Sequence, residues 1–297
     1  MKINTPILLI MFNRPDLTLK MLSQIEKVNP SEIFISIDGA RGELDINTIE
    51  EVKSIISDFE VRNTNIKVNK KYQDKNLGCG KNVSSSIDWF FENVPQGIIL
   101  EDDCVPNESF FKYCEELLNK YKDVPEIMHI SGTNITDYKR SDGASYTFSD
   151  LCIIWGWATW KRAWDKYDFE MKGLDEFIKN KYLLDIFPND EKAMNFYNNF
   201  FVHIKENNVN TWDAQWQYTL FKERGLSTIP CNNMISNAGF REDATFTKEH
   251  SDIFANKTLI DIDDIKHPSD IKPDKEYEDK WFRLIMGDWQ PMGNQNN

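Results

Sequence analysis

Three adjacent carboxylates, Glu101, Asp102 and Asp103, directly follow the apolar run 98–100. The run Ile-Ile-Leu has the pattern of a short buried strand, so the strand ends in concentrated negative charge. Adjacent carboxylates repel one another, and the arrangement is costly unless water screens them or a positive group lies beside them. A divalent cation shared with a phosphate ligand would supply that charge, because Mg²⁺ is usually held by one or two carboxylates plus phosphates. From this segment alone, an acidic turn that leaves an edge strand is an equally good interpretation.

A second candidate for chemistry is Asp213, which lies between Trp212 and Trp216. Aromatic neighbours raise the pKa of a carboxyl group and offer faces on which sugar rings stack. Asp213 is therefore a candidate general base for a hydroxyl group. A structural role explains it as well, because acidic residues are favoured as caps and in the first turn of helices.

Other catalytic motifs are poorly supported. The loop 76–82 has two glycines at the wrong spacing for a Walker loop or a dinucleotide fingerprint. There is no Gly-x-Ser-x-Gly or His-Glu-x-x-His motif, and the four His are scattered. The carboxylates instead fit a substitution at a sugar carbon that carries a nucleotide diphosphate. Asp103 would hold the cation, and a second carboxylate would take the acceptor proton.

Composition bounds the class of protein. With 297 residues, 40% of them apolar, the chain can build one large α/β domain or two small ones. A net charge of −13 without a long Lys/Arg cluster argues against a nucleic-acid partner. The five Cys are scattered and form no Cys-x-x-Cys pair, which predicts reduced thiols in the cytoplasm and neither a disulfide framework nor a zinc site.

Apolar periodicity predicts alternating strands and helices. Strands are predicted at 7–11, 33–37, 66–69, 98–100, 128–131 and 226–230. Helices are predicted at 17–28, 46–59, 82–92, 107–121, 174–187, 191–206 and 211–224. The βαβα order indicates a doubly wound, mostly parallel sheet.

Polar residues follow three of the predicted strands. They are Asn13 with Arg14, then Asp38, then the carboxylates that begin at Glu101. Ligands of open parallel sheets bind beyond the carboxyl ends of the strands, so these residues should converge on one crevice.

The motif order resembles a known family. Asn-Arg-Pro follows the first strand, Ser-Ile-Asp-Gly ends the second, and Asn-Leu-Gly precedes a helix. Ile-Leu-Glu-Asp-Asp-Cys-Val-Pro then leads to Phe-Phe-x-Tyr. Over residues 5–250 this order resembles nucleotide-sugar-dependent glycosyltransferases of the GT-A fold, most closely the N-acetylglucosaminyltransferase I group and its soluble bacterial relatives. The resemblance implies an α/β, Rossmann-like, mostly parallel sheet flanked by helices in a single large domain.

The resemblance also implies roles for individual residues. Arg14 and Asp38 would contact the nucleotide, Asp38 at the base. Glu101 and Asp102 would contact the sugar and ribose, and Asp103 would ligate Mn²⁺ or Mg²⁺. Further predicted contacts to the nucleotide or sugar are Asn13, Asn82, Trp157, Trp212 and Arg241.

Asp213 stands in Trp-Asp-Ala-Gln-Trp, which resembles the family's Trp-Asp-Asp-Trp. The resemblance implies that Asp213 is the catalytic base of an inverting displacement. The loop 236–247 resembles a segment of the bacterial relatives that ends Ala-Thr-His-Thr, but Phe246 stands where the His is expected. Arg241 or His250 would then serve the phosphates, although His250 is equally explained as an exposed loop residue.

We expect a GT-A domain over 1–250, with a nucleotide-sugar-binding half at 1–104 and an acceptor-binding half at 105–250. The tail 251–297 should dock on this domain through its apolar patch, with a membrane or partner contact as the alternative. The apolar run 6–12 is too short for a membrane span or a good signal peptide. These features predict a cytoplasmic protein that works at the inner face of the membrane, where lipid-linked acceptors are presented.

The predicted function is metal-dependent transfer of a sugar from a nucleotide diphosphate donor to a glycan or lipid-linked glycan, in bacterial surface polysaccharide biosynthesis. A UDP-sugar is the default donor because uridine is common in the family. One alternative is a sugar nucleotidyltransferase, whose sheet and acidic metal site look alike, although the chain lacks an N-terminal glycine-rich basic loop. The other alternative is a non-catalytic carbohydrate-binding protein that retains an aromatic cleft.

Overall fold

A computed structural model describes residues 2–188, 190–240, 254–255 and 257–288. Its strands are β1 (Ile7–Met11), β2 (Glu32–Ile37), β3 (Lys67–Tyr72), β4 (Gln96–Glu101), β5 (Cys104–Pro106), β6 (Ile127–Ser131), β7 (Tyr146–Ser149), β8 (Trp157–Trp160), β9 (Leu226–Pro230) and β10 (Ile235–Asn237). Its helices are α1 (Pro15–Val28), α2 (Glu43–Arg62), α3 (Gly78–Asn93), α4 (Glu108–Lys120), α5 (Lys161–Trp164), α6 (Leu174–Lys179), α7 (Glu191–Glu206), α8 (Asp213–Glu223) and α9 (Lys275–Asp288).

Within the described residues, eight strands form one sheet in the order β3-β2-β1-β4-β8-β6-β9-β7. The first four strands in this order pair in parallel, and so do β6 and β9. β8 is antiparallel to both of its neighbours, and β7 is antiparallel to β9. Six strands therefore run in one direction, and strands from both ends of the chain share the sheet. The predicted α/β fold, a single domain with a large, mostly parallel sheet flanked by helices, is confirmed.

The central strands are continuous apolar runs because both faces of the sheet are covered. Every residue of β1 is buried. Leu9 belongs to the core that includes side chains of α1, α2 and α4, whereas Leu8 belongs to the core that includes side chains of α3 and α8. Two-sided burial explains why these strands lack the alternating polar residues of a solvated sheet. The polar side chains therefore lie at and beyond the ends of these strands.

The structure departs from the predicted elements where the chain is polar or irregular. β3 extends to Tyr72 because it is an edge strand, whose polar residues can face water. The single helix predicted at 174–187 is wrong, since α6 ends at Lys179 and Lys181 takes a left-handed φ of 53°. The short ribbon of β5 and β10 and the strands β7 and β8 are not among the predicted strands.

The described part of the C-terminal segment packs on the sheet beside β7. Glu278 is 2% exposed, and its Oε1 accepts hydrogen bonds from Ser149 Oγ at 2.9 Å and the Asp150 amide at 2.8 Å. The Lys275 ammonium bridges Glu278 at 2.6 Å and Asp150 at 3.0 Å. Tyr277 is fully buried. This cluster of two buried carboxylates and one half-exposed ammonium group ties α9 to the domain.

Across the described residues, we find no helix with the length and apolarity that crossing a membrane requires.

Removing the Glu278 carboxylate should destabilise the fold. We expect Glu278→Leu to lower the unfolding free energy by about 2–3 kcal/mol, because it leaves Ser149, Asp150 and Lys275 without their buried partner. The half-exposed Lys275 keeps the loss below that of a fully buried pair. Urea denaturation measures it, with the exposed Glu276→Leu as control. Equal midpoints for the two variants would contradict the role of this cluster.

Candidate functional site

The ends of β1, β2 and β4 open into one cavity of about 410 Å³, which we call the strand-end cavity. Of the residues predicted to converge on one crevice, Arg14, Asp38, Glu101 and Asp102 line this cavity, whereas Asn13 and Asp103 are not part of its lining. Asn82, a predicted ligand contact, lines it as well. The reason is topological, since β2, β1 and β4 are adjacent and parallel and their carboxyl ends therefore meet at one edge.

A second cavity of about 400 Å³ adjoins the first, and we call it the Trp212 cavity. Asp103, Trp212 and Asp213 line it. Arg14, Cys79 and Glu101 line both cavities. The structure thus brings the predicted metal ligand and the predicted base to one cavity wall, next to the predicted nucleotide site.

Arg14 supplies part of the positive charge that the three carboxylates require. Its Nε donates to Asp102 Oδ2 at 3.3 Å, its Nη1 donates to Asp103 Oδ2 at 3.1 Å, and its Nη2 donates to Asp102 Oδ1. Burial lowers the pKa of Arg14, but the negative charges of Asp102 and Asp103 together raise it by more than burial lowers it. The guanidinium therefore stays charged. Pro15 at the first position of α1 sets the backbone that presents Arg14 to this edge.

Glu101 receives no side-chain hydrogen bond from the described residues. Burial, followed by the charges of Asp103 and Asp102, holds the pKa of Glu101 well above its usual range, and Arg14 only partly opposes this rise. Burial likewise raises the pKa of Asp102, against the pull of Arg14. The single guanidinium of Arg14 cannot neutralise all three carboxylates. The negative charge that remains would be relieved by a bound cation.

The donor set at Asp103 fits a hard divalent cation. The Asp103 side chain is 21% exposed, and its Oδ1 accepts a long bond of 3.4 Å from the Cys104 thiol. Gly239 leaves the space beside it, because an added Cβ there would lie 2.4 Å from Asp103 Oδ2. No group of three or more His, Cys, Asp or Glu side chains in the described ranges is placed to hold a metal. A cation held by one or two carboxylates plus substrate phosphates does not need such a group.

Asp38 is held by its own chain. Its Oδ1 accepts from the amides of Gly39 at 2.8 Å and Leu77 at 2.9 Å. Its Oδ2 accepts from the Gly78 amide at 3.0 Å and Asn76 Nδ2 at 3.0 Å. Burial raises the pKa of Asp38, and the three backbone bonds oppose that rise. Asp38 therefore clips the loop before α3 to the end of β2, and its contact with a nucleotide base stays a prediction.

Asn82, unlike Asp38, has a side-chain oxygen that no described residue satisfies. It is 5% exposed, and its buried Oδ1 has no hydrogen-bond partner within the described chain. Asn13, in contrast, donates its Nδ2 to Asp45 Oδ1 at 2.6 Å. Asp45 is also bound by Arg41, whose guanidinium lies 4.8 Å from the centre of the Phe12 ring. Asn82 is thus the better placed of the two predicted amides to bind a ligand in the strand-end cavity.

Sequence reasoning missed several residues of the strand-end cavity. They include Phe12, Arg41, Asn76, Cys79 and Asn210. The rule that ligands bind beyond the carboxyl ends of parallel strands could have found Phe12 and Arg41, since each follows a predicted strand within a few residues. Asn210 carries no such signal, because only the folded chain brings it to α3, where its Oδ1 accepts from the Gly80 amide at 3.0 Å.

Asp213 is the first residue of α8, and its Oδ1 accepts a hydrogen bond from the Thr211 hydroxyl. The cap position belongs to Trp212, and no side-chain cap bond forms there. Trp212 stacks on Trp157 at 5.6 Å, and Trp157 stacks on His129 at 4.9 Å. Trp157 is 1% exposed and lies behind Trp212, so its predicted contact with a sugar stays a prediction.

His129 supports this aromatic stack rather than acid–base chemistry. It is fully buried, and its Nδ1 accepts from Trp216 Nε1 at 3.1 Å. Burial lowers the pKa of His129 to about 3, which keeps the ring neutral. The predicted residues Arg241, Phe246 and His250 lie outside the described residues.

No protein-family model matches the chain, and no curated protein matches its sequence. The fold is similar to a Pyrobaculum calidifontis mannosyltransferase in complex with GDP-Man and Mn²⁺, at 10% identity over 53% of this chain and 45% of that one, TM-score 0.36. It is similar to glycosyltransferase GlyE of Streptococcus pneumoniae, at 10% identity over 76% and 45%, TM-score 0.33. A third similar structure is the 4-diphosphocytidyl-2C-methyl-D-erythritol synthase of Anaerococcus prevotii, at 13% identity over 63% and 86%, TM-score 0.31. This chain spans less than half the length of the two glycosyltransferases, and such values assign it neither a family nor a substrate.

The raised pKa of Glu101 predicts a pH-dependent stability. The folded state binds this proton more tightly than the unfolded chain, so the associated stability is lost as the pH rises from about 4.3, the usual value of Glu, through the raised pKa. We expect the unfolding free energy of metal-free Glu101→Gln, relative to that of the parent protein, to increase from pH 5 to pH 9. Urea denaturation in EDTA at each pH measures this difference. The exposed Glu92→Gln serves as control. A gap that is constant over this range would contradict the prediction.

Proposed function

We propose that this protein is a metal-dependent, inverting glycosyltransferase. The nucleotide diphosphate sugar would bind in the strand-end cavity and the acceptor in the Trp212 cavity. The observation that supports this proposal is that the two cavities share Arg14, Cys79 and Glu101. A donor and an acceptor bound on either side of these residues would face each other across the carboxylates, as a displacement at a sugar carbon requires.

On the donor side, Asn82 and the loop clipped by Asp38 would contact the nucleoside. Arg14 neutralises part of the carboxylate charge, which lowers the electrostatic cost of bringing a diphosphate to this edge. Asp103 would hold Mn²⁺ or Mg²⁺, which when bound supplies Lewis-acid stabilisation of the departing diphosphate. We propose a UDP-sugar as donor, following the resemblance of the motifs.

On the acceptor side, Asp213 would act as the general base. The Thr211 hydroxyl donates to Asp213 Oδ1, which orients the carboxylate and leaves Oδ2 for the acceptor. The acceptor hydroxyl gives its proton to Asp213 while its oxygen bonds to the anomeric carbon and the bond to the diphosphate breaks. Attack from the face opposite the diphosphate inverts the configuration. Trp212 provides an apolar wall that limits water at the base.

We further propose that the acceptor is a glycan or a lipid-linked glycan of bacterial surface polysaccharide biosynthesis, modified at the cytoplasmic face of the membrane. This part follows from the motif resemblance.

Asp103 is the residue to test for metal and donor binding. We expect a panel of nucleoside diphosphates to raise the melting temperature only with Mn²⁺, UDP most, and Asp103→Asn to abolish that shift because its neutral amide is a weaker ligand. Asp58→Asn, on the exposed side of α2, is the matched control. If UDP with Mn²⁺ still raised the melting temperature of Asp103→Asn fully, or if this variant were fully active in EDTA, the assignment of Asp103 as metal ligand would be wrong. Release of pyrophosphate from nucleoside triphosphate and sugar phosphate would instead identify a nucleotidyltransferase.

A variant of Asp213 tests the chemical step separately from donor binding. Asp213→Asn should keep the Kd for the donor but lower kcat by about 10²–10⁴-fold, because the amide cannot accept the proton. Calorimetry gives the Kd, and a transfer assay gives the kcat. Glu223→Gln, at the other end of α8, should leave both quantities unchanged. Turnover of Asp213→Asn near the parent level would show that the base is another group.

A further inference from the structure

A third cavity, of about 500 Å³, lies apart from the carboxylates between the start of α3, the segment 169–171 and the turn that joins α7 to α8. We call it the Gln215 cavity. Its size falls within the range of roughly 300–1,000 Å³ that small-molecule sites occupy. The side chains that give it polar or aromatic character are Lys81, Phe169, Glu170, Lys205, Asn208 and Gln215.

Gln215 carries an unused acceptor at this cavity. The residue is 3% exposed, and its Nε2 donates to the Thr211 carbonyl at 3.0 Å. Its buried Oε1 accepts no hydrogen bond from any described residue. Buried polar atoms are normally paired, because desolvation without a replacement bond is unfavourable. A ligand that brings a hydroxyl donor would complete the amide.

The Gln215 cavity has a mixed lining, with two ammonium groups, one carboxylate and an aromatic ring. Lys81 and Lys205 oppose Glu170, and the Lys205 ammonium already donates to the Met171 carbonyl at 3.0 Å. The exposed Lys81 thus has Glu170 as a counter-charge in the same lining. Phe169 is partly buried and adds an apolar surface. Hydrogen-bonding groups beside an aromatic face suit a sugar, which has polar edges and an apolar C–H face.

The Gln215 cavity adjoins the proposed acceptor site. Ile204 and Val209 line both this cavity and the Trp212 cavity. On its other side, α3 and the segment 210–211 approach so closely that a Cβ at Gly80 would lie 2.6 Å from the Thr211 carbonyl oxygen. Asn210 nevertheless lines the strand-end cavity too, so the Gln215 cavity borders both sites but shares two residues with the Trp212 cavity and one with the strand-end cavity. An extended ligand can therefore continue into it from the acceptor side.

We propose that the Gln215 cavity is a subsite for a second sugar unit of the acceptor, which is accordingly an oligosaccharide and not a single sugar. The inference rests on the proposed glycosyltransferase function and narrows its acceptor class. Gln215 accepts from a hydroxyl, Lys81 donates to another, and Phe169 packs on the ring. No covalent step takes place in this subsite.

The test uses an array of immobilised mono-, di- and trisaccharides built from hexoses, N-acetylhexosamines and hexuronic acids, probed with the full chain. The parent protein should retain some di- or trisaccharides more strongly than their monosaccharide units. Lys81→Ala should weaken that retention about five- to tenfold, the loss expected for one hydrogen bond. Gln215→Met should act in the same direction. Lys192→Ala removes the same charge from an exposed position on α7 and should have no effect.

The same variants are tested for Mn²⁺-dependent stabilisation by UDP, which reports the donor site alone. If UDP with Mn²⁺ does not raise the melting temperature of the parent protein, the proposed function is contradicted. The subsite is judged separately, from the glycan array. The proposal is overturned if no oligosaccharide is retained, if mono- and disaccharides bind equally, or if Lys81→Ala binds like Lys192→Ala. It is also overturned if Lys81→Ala loses UDP and not glycan. Should Gln215→Met fail to fold, Phe169→Ala replaces it with the same expectation.

Discussion

The charge balance between Arg14 and the carboxylates at the end of β4 is the constraint on which the site depends. Three adjacent acids at a buried strand end would repel one another, and the guanidinium of Arg14 holds two of them in place. Arg14 lies between β1 and α1, and Asp102 and Asp103 directly follow β4, so this contact also joins two neighbouring strand ends. Glu101 keeps the excess negative charge, as its raised pKa records. Arg14 therefore offsets part of the repulsion, and the charge that remains suits the cation that we propose at Asp103.

The rest of the fold orients the groups around this balance. Both Asp38 oxygens accept hydrogen bonds from the loop before α3. Asn82 lines the strand-end cavity, and its Oδ1 has no hydrogen-bond partner among the described residues. The stack of His129, Trp157 and Trp212 supports the start of α8, where Asp213 lies. Such buried polar and aromatic contacts hold the cavity walls in one geometry, which is what positioning two substrates for a displacement requires.

Much of the scaffold could be predicted from local pattern. The runs at β1 and β9 match the predicted strands, and α4 lies within the predicted helix 107–121, with the Asn107 side chain capping it by accepting from the Phe110 amide. The missed strands have a common cause. β7, β8 and the ribbon of β5 and β10 are short, and the partners that stabilise them lie far away along the chain. Local periodicity carries no information about such partners.

The sequence by itself determined that apolar strands would end in polar groups and that these groups would meet at one edge, because parallel strands place their carboxyl ends together. It also showed which residue types could hold a cation or move a proton. Only the tertiary structure decided how those groups are paired: Arg14 with Asp102 and Asp103, Asp38 with its own loop, Trp157 behind Trp212, and Gln215 with an acceptor oxygen that no described residue satisfies. Hydrogen-bond partners and burial arise from contacts between distant segments, and those contacts exist only once the chain has folded.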